Sequence, residues 1–174
     1  MNVSRARWTP LLVLLLAPAA AHADPLADGL SAYAVDARAI VTALEGGATP
    51  ASQADALGDL SDAAAAMVEP FVARRPACAG YLRAASTLRE RWSTLSVAEI
   101  ERDYHHDAAL PPIEDASTRA VCYQMKDLLV HPLTALRLLR EEAPDTAAVR
   151  HDVVEVVAHS QALAALAGVT PPRD

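Results

Sequence analysis

Three histidines and two aspartates are the residues of this sequence whose types and spacing could carry chemistry. His105, His106 and Asp107 are consecutive, and Asp127 and His131 lie four residues apart in a later segment. Imidazole and carboxylate groups that converge from two segments are the donors that zinc and copper require. Paired histidines can also hold haem iron from its axial positions. The sequence therefore predicts a divalent metal site formed by all five residues, or non-covalent haem held by the three histidines.

A structural role for the same residues is the alternative. Histidine suits the C-terminus of a helix, so His105 and His106 could serve only to satisfy a helix end. His131 precedes Pro132 and could be a capping or core residue. Covalent haem attachment is excluded because the sequence has no Cys-x-x-Cys-His motif. The competing hypothesis is a cofactor-free protein-interaction module, and an enzyme is disfavoured because no nucleophile or acid–base pair can be recognised.

Lys126 is the only lysine of the chain, and it lies beside Asp127 in a segment that is apolar on most sides. A buried charge requires a partner, because leaving it unpaired costs several kcal/mol. A structural ion-pair network and a ligand-binding site both remain open here. The partners expected from the sequence are Glu99, Glu101, Glu114 and Arg119.

The last segment places His151, Glu155 and His159 at intervals of four residues. This spacing puts the three side chains on one face of a helix, where they could bind a divalent ion. The apolar stripe of the same segment lies on the opposite face and comprises Val149, Val153 and Val156. We therefore expect the histidine face to be solvated.

The elements that must position these residues are helices. Alanine and leucine are abundant, β-branched runs are few, and apolar residues recur at helical spacing. The pattern predicts an all-α bundle of four or five helices. One helix of about 19 residues is expected from Pro76, and another from Ser117 to Glu142, bent or broken at Pro132.

Cys78 and Cys122 are the two cysteines, and in an exported chain such a pair indicates a disulfide. The bond would bring the starts of two helices to one end of the bundle, with Cα atoms within about 7 Å. The helix after Cys78 spans roughly 28 Å, so residues 96–116 must return that distance. We expect them to form a crossover laid along the bundle, which would carry His105 towards His131.

Export is predicted from the first 23 residues. Residues 1–10 are cationic through Arg5 and Arg7, residues 11–20 are apolar, and small residues precede Asp24. This order is typical of a cleaved Sec-type signal peptide, with cleavage between Ala23 and Asp24. The predicted organisation is a signal peptide over 1–23, a helical domain over 24–168 and a disordered tail over 169–174. The mature protein would be periplasmic or secreted, without a membrane anchor.

Charge restricts the partners. The chain has 15 Lys and Arg against 22 Asp and Glu, a net charge of −7. Nucleic-acid binding requires a basic surface, so this class of partner is excluded. An acidic surface fits metal ions or cationic partners, although it also serves solubility. A periplasmic protein partner and an unidentified small ligand remain open.

Overall fold

The computed structural model describes residues 24–167, so the predicted signal peptide and tail lie outside the described residues. In chain order the helices are α1 (Pro25–Glu45), α2 (Ala54–Arg74), α3 (Ala79–Ser86), α4 (Leu88–Arg91), α5 (Val97–Ile100), α6 (Ala116–Leu138) and α7 (Thr146–Ala167). Pro50–Gln53 and Pro76–Cys78 form 3-10 turns, and Glu101–His105 forms a π-helical turn. Residues 24–167 contain no β-strand, and the predicted all-α class is confirmed.

The four long helices form a closed ring, in which α6 contacts α2 and α7, and α1 contacts the same two helices. The short helix α3 packs against α6 from outside this ring. Every residue from 125 to 135 is buried, on all sides of α6. This burial agrees with the sequence of the segment, which is apolar on most sides, and it makes α6 the central helix.

Helix starts follow local sequence signals. Asp24 accepts hydrogen bonds from the backbone at the start of α1, and Asp115 does so at the start of α6. Ser96 and Glu99 form a reciprocal capping box at α5. These caps satisfy backbone N–H groups that a helix start leaves without partners.

Helix α6 continues through Pro132, where the sequence predicts a bend or break. Proline has no backbone N–H, so the carbonyl of Leu128 lacks its usual partner one turn later. The hydroxyl of Tyr33 in α1 donates a buried 2.8 Å hydrogen bond to that carbonyl oxygen. A side chain from a neighbouring helix thus replaces the bond that proline removes.

Cys78 and Cys122 form the predicted disulfide, with Cα atoms 5.5 Å apart. The single long helix expected after Cys78 is wrong, because α3 and α4 are separated at Thr87. The hydroxyls of Ser86 and Thr87 donate hydrogen bonds to the carbonyls of Leu82 and Ala84. Such bonds compete with helix propagation and explain the break.

Residues 96–115 follow the side of α6, since both α5 and the π-helical turn contact that helix. Tyr104 and Leu110 anchor this crossover in the core. Asp107 lies between them with a φ of 63°, a conformation that asparagine and aspartate tolerate better than most residues. Among residues 24–167, no helix combines the length and hydropathy needed to cross a membrane.

Candidate metal centre

The candidate centre lies midway along α6, where Asp127 and His131 are buried one helical turn apart on the same face. Side chains from α7 and from the crossover surround them. The ring centroid of His105 is 4.9 Å from that of His131, and the ring centroid of His159 in α7 is 5.2 Å away. The crossover therefore brings His105 to His131, as the disulfide argument predicts.

His131 has one nitrogen bonded and one available. Its Nδ1 lies 3.0 Å from Oδ1 of Asp152 and donates to that carboxylate. Burial raises the pKa of Asp152, and the hydrogen bond from His131 opposes this shift. Nε2 of His131 is buried without a hydrogen-bond partner, 3.3 Å from Oε2 of Glu155. A carboxylate that accepts a hydrogen bond from one imidazole nitrogen orients the ring so that the other nitrogen can bind a metal.

His105 is held in the same way by the π-helical turn that carries it. Its Nδ1 lies 2.7 Å from Oε2 of Glu101, four residues earlier. The hydrogen bond with Glu101 raises the pKa of His105. Nε2 is the ring nitrogen that remains for a metal, and binding there would release a proton when the ring is protonated.

His159 completes the pattern from α7. Its Nδ1 lies 2.7 Å from Oε1 of Gln124, an amide oxygen that can only accept. Its Nε2 lies 3.4 Å from Oδ2 of Asp127. Burial lowers the pKa of His159, which favours the neutral ring that binds metal ions.

These side chains form two overlapping sets of donors. One set contains His105, His131 and Glu155; the other contains Asp127, His131 and His159; within each set, the donor atoms lie within 4.8 Å of one another. Both sets would use Nε2 of His131, since Nδ1 is bonded to Asp152, and one nitrogen binds one ion, so the two sets together can hold only one ion at a time. We call these five residues the inner group.

Two donor separations in the inner group already fit a metal. The distances of 3.3 Å from His131 to Glu155 and 3.4 Å from His159 to Asp127 join donor atoms. A tetrahedral zinc ion with ligands at about 2.0–2.1 Å separates those ligands by about 3.3–3.4 Å. The geometry can therefore accept an ion with small side-chain movements.

Asp127 is fully buried, and neither of its carboxylate oxygens accepts a hydrogen bond within the described residues. Nζ of Lys126 lies 2.9 Å from Oδ1 as a charge neighbour. Tyr123 is also close, and burial together with the charge of Asp127 raises the pKa of its hydroxyl. Buried carboxylates without hydrogen bonds are costly and rare, so Asp127 is poised for a further cation.

Lys126 is held by the crossover. Its Nζ donates to the carbonyl oxygen of His105 at 2.7 Å and to Oδ1 of Asp107 at 3.1 Å, and it lies 3.9 Å from the ring centroid of Tyr123. The hydroxyl of Tyr81 also donates to Oδ1 of Asp107 at 2.7 Å. The expected partners Glu99, Glu101, Glu114 and Arg119 are wrong, because the crossover brings other acceptors to this ammonium group.

The structure divides the five residues singled out by the sequence. His105, Asp127 and His131 belong to the inner group. His106 is exposed and stacks on His105 with ring centroids 5.1 Å apart. Asp107 pairs with Lys126 and Tyr81 and lies outside both donor sets of the inner group.

The solvated face expected for α7 is wrong in part. The side chain of His151 is 70% exposed, but those of Glu155 and His159 are 35% and 18% exposed and approach His131 and Asp127. Sequence reasoning also missed Asp152 and Gln124, which hold the imidazoles. The signal in the sequence is the His-Glu-His spacing of α7, since residues four apart share one face of a helix.

Comparisons with protein families, curated protein sequences and solved structures give no match to this chain.

Proposed function

We propose that this protein binds one divalent transition-metal ion, of the zinc or copper(II) class, in the inner group. The observation that carries the proposal is the convergence, among the described residues, of buried donors without a hydrogen bond: Nε2 of His131 and the carboxylate of Asp127, whose one charged neighbour from Lys or Arg is Lys126. A buried polar atom without a partner requires an explanation, and a role as a metal ligand provides one. His159, His105 and Glu155 supply further nitrogen and oxygen ligands at the same place.

The charge balance around His131 supports a cation. Four carboxylates contact the imidazoles of the inner group. Asp152 and Glu155 contact His131. Asp127 contacts His159, and Glu101 contacts His105. Among the ion pairs of the described residues, Lys126 is the only lysine or arginine that pairs with one of these four carboxylates. A divalent ion would compensate for much of the remaining negative charge.

The packing supports a bare ion in preference to haem. The ring of His159 is stacked on His131 with planes 19° apart, and the ring of His105 lies at a steep angle of 67° to it. Both imidazoles contact the ring that would be an axial ligand. A porphyrin beside Nε2 would have to displace them, whereas a bare ion would require only small side-chain movements.

We further propose that the protein is an exported accessory protein and that it binds the ion in the periplasm or outside the cell. The closed disulfide supports this placement, because disulfides persist in oxidising compartments. The order of charged, apolar and small residues at the N-terminus supports it independently.

Metal titration of the chelator-treated protein tests the proposal. We expect one Zn²⁺ per chain, measured by competition with a chromophoric chelator, and a visible spectrum with Co²⁺ that reports nitrogen and oxygen ligands. His131→Gln and His159→Gln should each weaken the affinity by at least about 100-fold, beyond the loss typical of supporting residues. His151→Gln, which removes an exposed imidazole, is the matched control and should retain the affinity.

Two results would overturn this assignment. No uptake of Zn²⁺, Cu²⁺ or Co²⁺ by the folded wild type would leave a structural histidine network in a cofactor-free interaction module. A shift of the haemin Soret band that His131→Gln abolishes, without uptake of bare ions, would assign the histidines to haem.

A further inference from the structure

Four imidazoles form a continuous row from the surface into the core. The ring centroids of His106 and His105 are 5.1 Å apart, those of His105 and His131 4.9 Å, and those of His131 and His159 5.2 Å. Along the first three rings, exposure falls: His106 is exposed, the side chain of His105 is 21% exposed and that of His131 is 2% exposed. The row therefore connects solvent to the unpartnered Nε2 of His131.

The outer end of this row is itself a set of metal donors. Glu101, His105 and His106 each offer a donor atom, and these atoms lie within 4.8 Å of one another. We call these residues the outer group. His105 belongs to both groups, and its one available nitrogen can hold an ion in only one of them at a time. The outer and inner groups are consequently successive positions on one path.

We propose that the outer group captures the metal ion from solution and that His105 transfers it to the inner group. This inference rests on the proposed metal-binding function. During transfer the ion keeps its bond to His105, while its bonds to His106 and Glu101 break and bonds to His131 and an inner carboxylate form. Imidazole and carboxylate lone pairs supply the new bonds, bound water leaves to solvent, and no oxidation or reduction is involved.

The physical advantage of such a path is a high effective concentration. Once held by the outer group, the ion reaches His131 by an intramolecular step and not by a separate encounter. Without the outer group, the buried donors would have to replace all the water bound to the ion in a single encounter. The carboxylate of Glu101 additionally attracts cations to the outer group, as charged surfaces do for their ligands.

His151 defines a competing path and a matched control. It is an exposed imidazole of α7, and its Nε2 lies 3.4 Å from Oε1 of Glu155 in the inner group. However, His151 is not part of a set of three metal donors among the described residues. His106→Gln and His151→Gln thus each remove one exposed imidazole next to the inner group, the first from the crossover and the second from α7.

Stopped-flow uptake of Co²⁺ by the chelator-treated full-length protein tests the proposal. We expect His106→Gln to slow both association and dissociation by about tenfold or more, the size of effect that a charged collecting surface has on association rates. The equilibrium affinity and the visible spectrum of the bound Co²⁺ should not change, because His106 is not a final ligand. His151→Gln should leave both rates at the wild-type values.

Unchanged rates in His106→Gln, or equal slowing in both variants, would overturn the transfer path while the inner metal centre stands. A changed Co²⁺ spectrum in His106→Gln would also overturn it, by making His106 a resident ligand. Absence of any Co²⁺, Zn²⁺ or Cu²⁺ uptake in the wild type would instead refute the proposed function itself, and the two failures are therefore distinguishable.

Discussion

The hydroxyl of Tyr33 donates a 2.8 Å hydrogen bond to the carbonyl oxygen of Leu128 in α6. This is the carbonyl that Pro132 leaves without a partner within the helix. Tyr33 is fully buried, and burial raises the pKa of its phenol well above the usual value. The bond joins α1 to the segment of α6 that carries Asp127 and His131. The integrity of the candidate centre and the packing of α1 are thereby coupled.

Tyr33→Phe should reduce the free energy of unfolding by about 1–3 kcal/mol, because it leaves the Leu128 carbonyl buried and unsatisfied. Urea unfolding measures this loss. In a Pro132→Ala background the restored N–H can bond to Leu128, so Tyr33→Phe should cost less there. Equal costs in both backgrounds would show that the tyrosine does not compensate for the proline.

The disulfide should support both stability and metal binding. Cys78→Ser should lower the free energy of unfolding by about 4 kcal/mol in the chain-entropy model for a loop of this length. It should also weaken Zn²⁺ binding, because Tyr81 follows Cys78 in α3 and holds Asp107 in the crossover. Thermal melting and metal titration measure the two effects.

Reductant provides the control for this prediction. It should reproduce both effects in the wild type and have no effect on the double variant Cys78→Ser/Cys122→Ser. An unchanged melting temperature of the reduced wild type would contradict the prediction.

Covalent and steric constraints explain why the crossover was predictable from sequence. Two cysteines and the length of the intervening segment restrict where residues 96–116 can run, and His105 consequently reaches His131 as expected. The break between α3 and α4 could not be predicted in the same way. It depends on whether the hydroxyls of Ser86 and Thr87 bond to nearby carbonyls, and residue types alone do not determine that geometry.

The contribution of α7 could not be predicted because the helix packs against two neighbours, α1 and α6. A helix in that position buries two stripes, and hydropathy identifies only the apolar one through Val149 and Val153. The second stripe, with Glu155 and His159, is polar because it faces charged residues of α6. Sequence alone does not distinguish such a stripe from a solvated face.

Stability should fall in acid partly through Asp115, which caps α6. Hydrogen bonds from Ser117 and from the backbone of Thr118 lower the pKa of Asp115 to about 2. An unfolded aspartate has a pKa of about 3.9, so the folded protein binds this proton less tightly. The resulting stabilisation is present above about pH 4 and is lost as the pH falls through about 2.

Asp115→Ala should therefore be less stable than wild type at neutral pH, and the difference should shrink as the pH falls from about 4 to 2. Asp115→Asn keeps a good cap that does not titrate, so its stability should lack this acid dependence. Urea unfolding between about pH 2 and pH 7 measures both. A constant difference between wild type and Asp115→Ala at all pH values would contradict the expected linkage.

Asp152 should act on the metal through His131. Asp152→Asn keeps an acceptor for Nδ1 of His131 but removes the carboxylate charge, and it should lower Zn²⁺ affinity by about 10-fold to 100-fold. The spectrum of bound Co²⁺ should stay close to that of wild type, since no ligand is lost. Asp36→Asn, a change at an exposed position of α1, should leave the affinity unaltered.

A wild-type affinity in Asp152→Asn would show that its hydrogen bond to His131 serves packing alone. Equal losses in Asp152→Asn and Asp36→Asn would assign the effect to overall charge. The comparison therefore separates a local effect on His131 from the general attraction of a cation to an acidic protein.

Lys126 should stabilise the metal-free protein more than the metal-bound protein. Its ammonium is fully buried and lies beside Asp107 and Asp127. Lys126→Met should lower the metal-free stability by about 3–5 kcal/mol, because it leaves the buried carboxylate of Asp127, and the partly buried one of Asp107, without a counter-charge. Adding Asp127→Asn to this variant should recover part of the loss, since it removes one of those charges.

The effect of Zn²⁺ on stability should depend on Lys126, because both cations are expected next to the carboxylate of Asp127. In Lys126→Met the ion is the remaining positive charge next to this carboxylate, so saturating Zn²⁺ should raise the melting temperature more than in wild type. Thermal melting of both proteins with and without Zn²⁺ measures this difference. An equal rise in the two proteins would mean that the ion does not contact Asp127, and it would place the metal on His131 without this carboxylate.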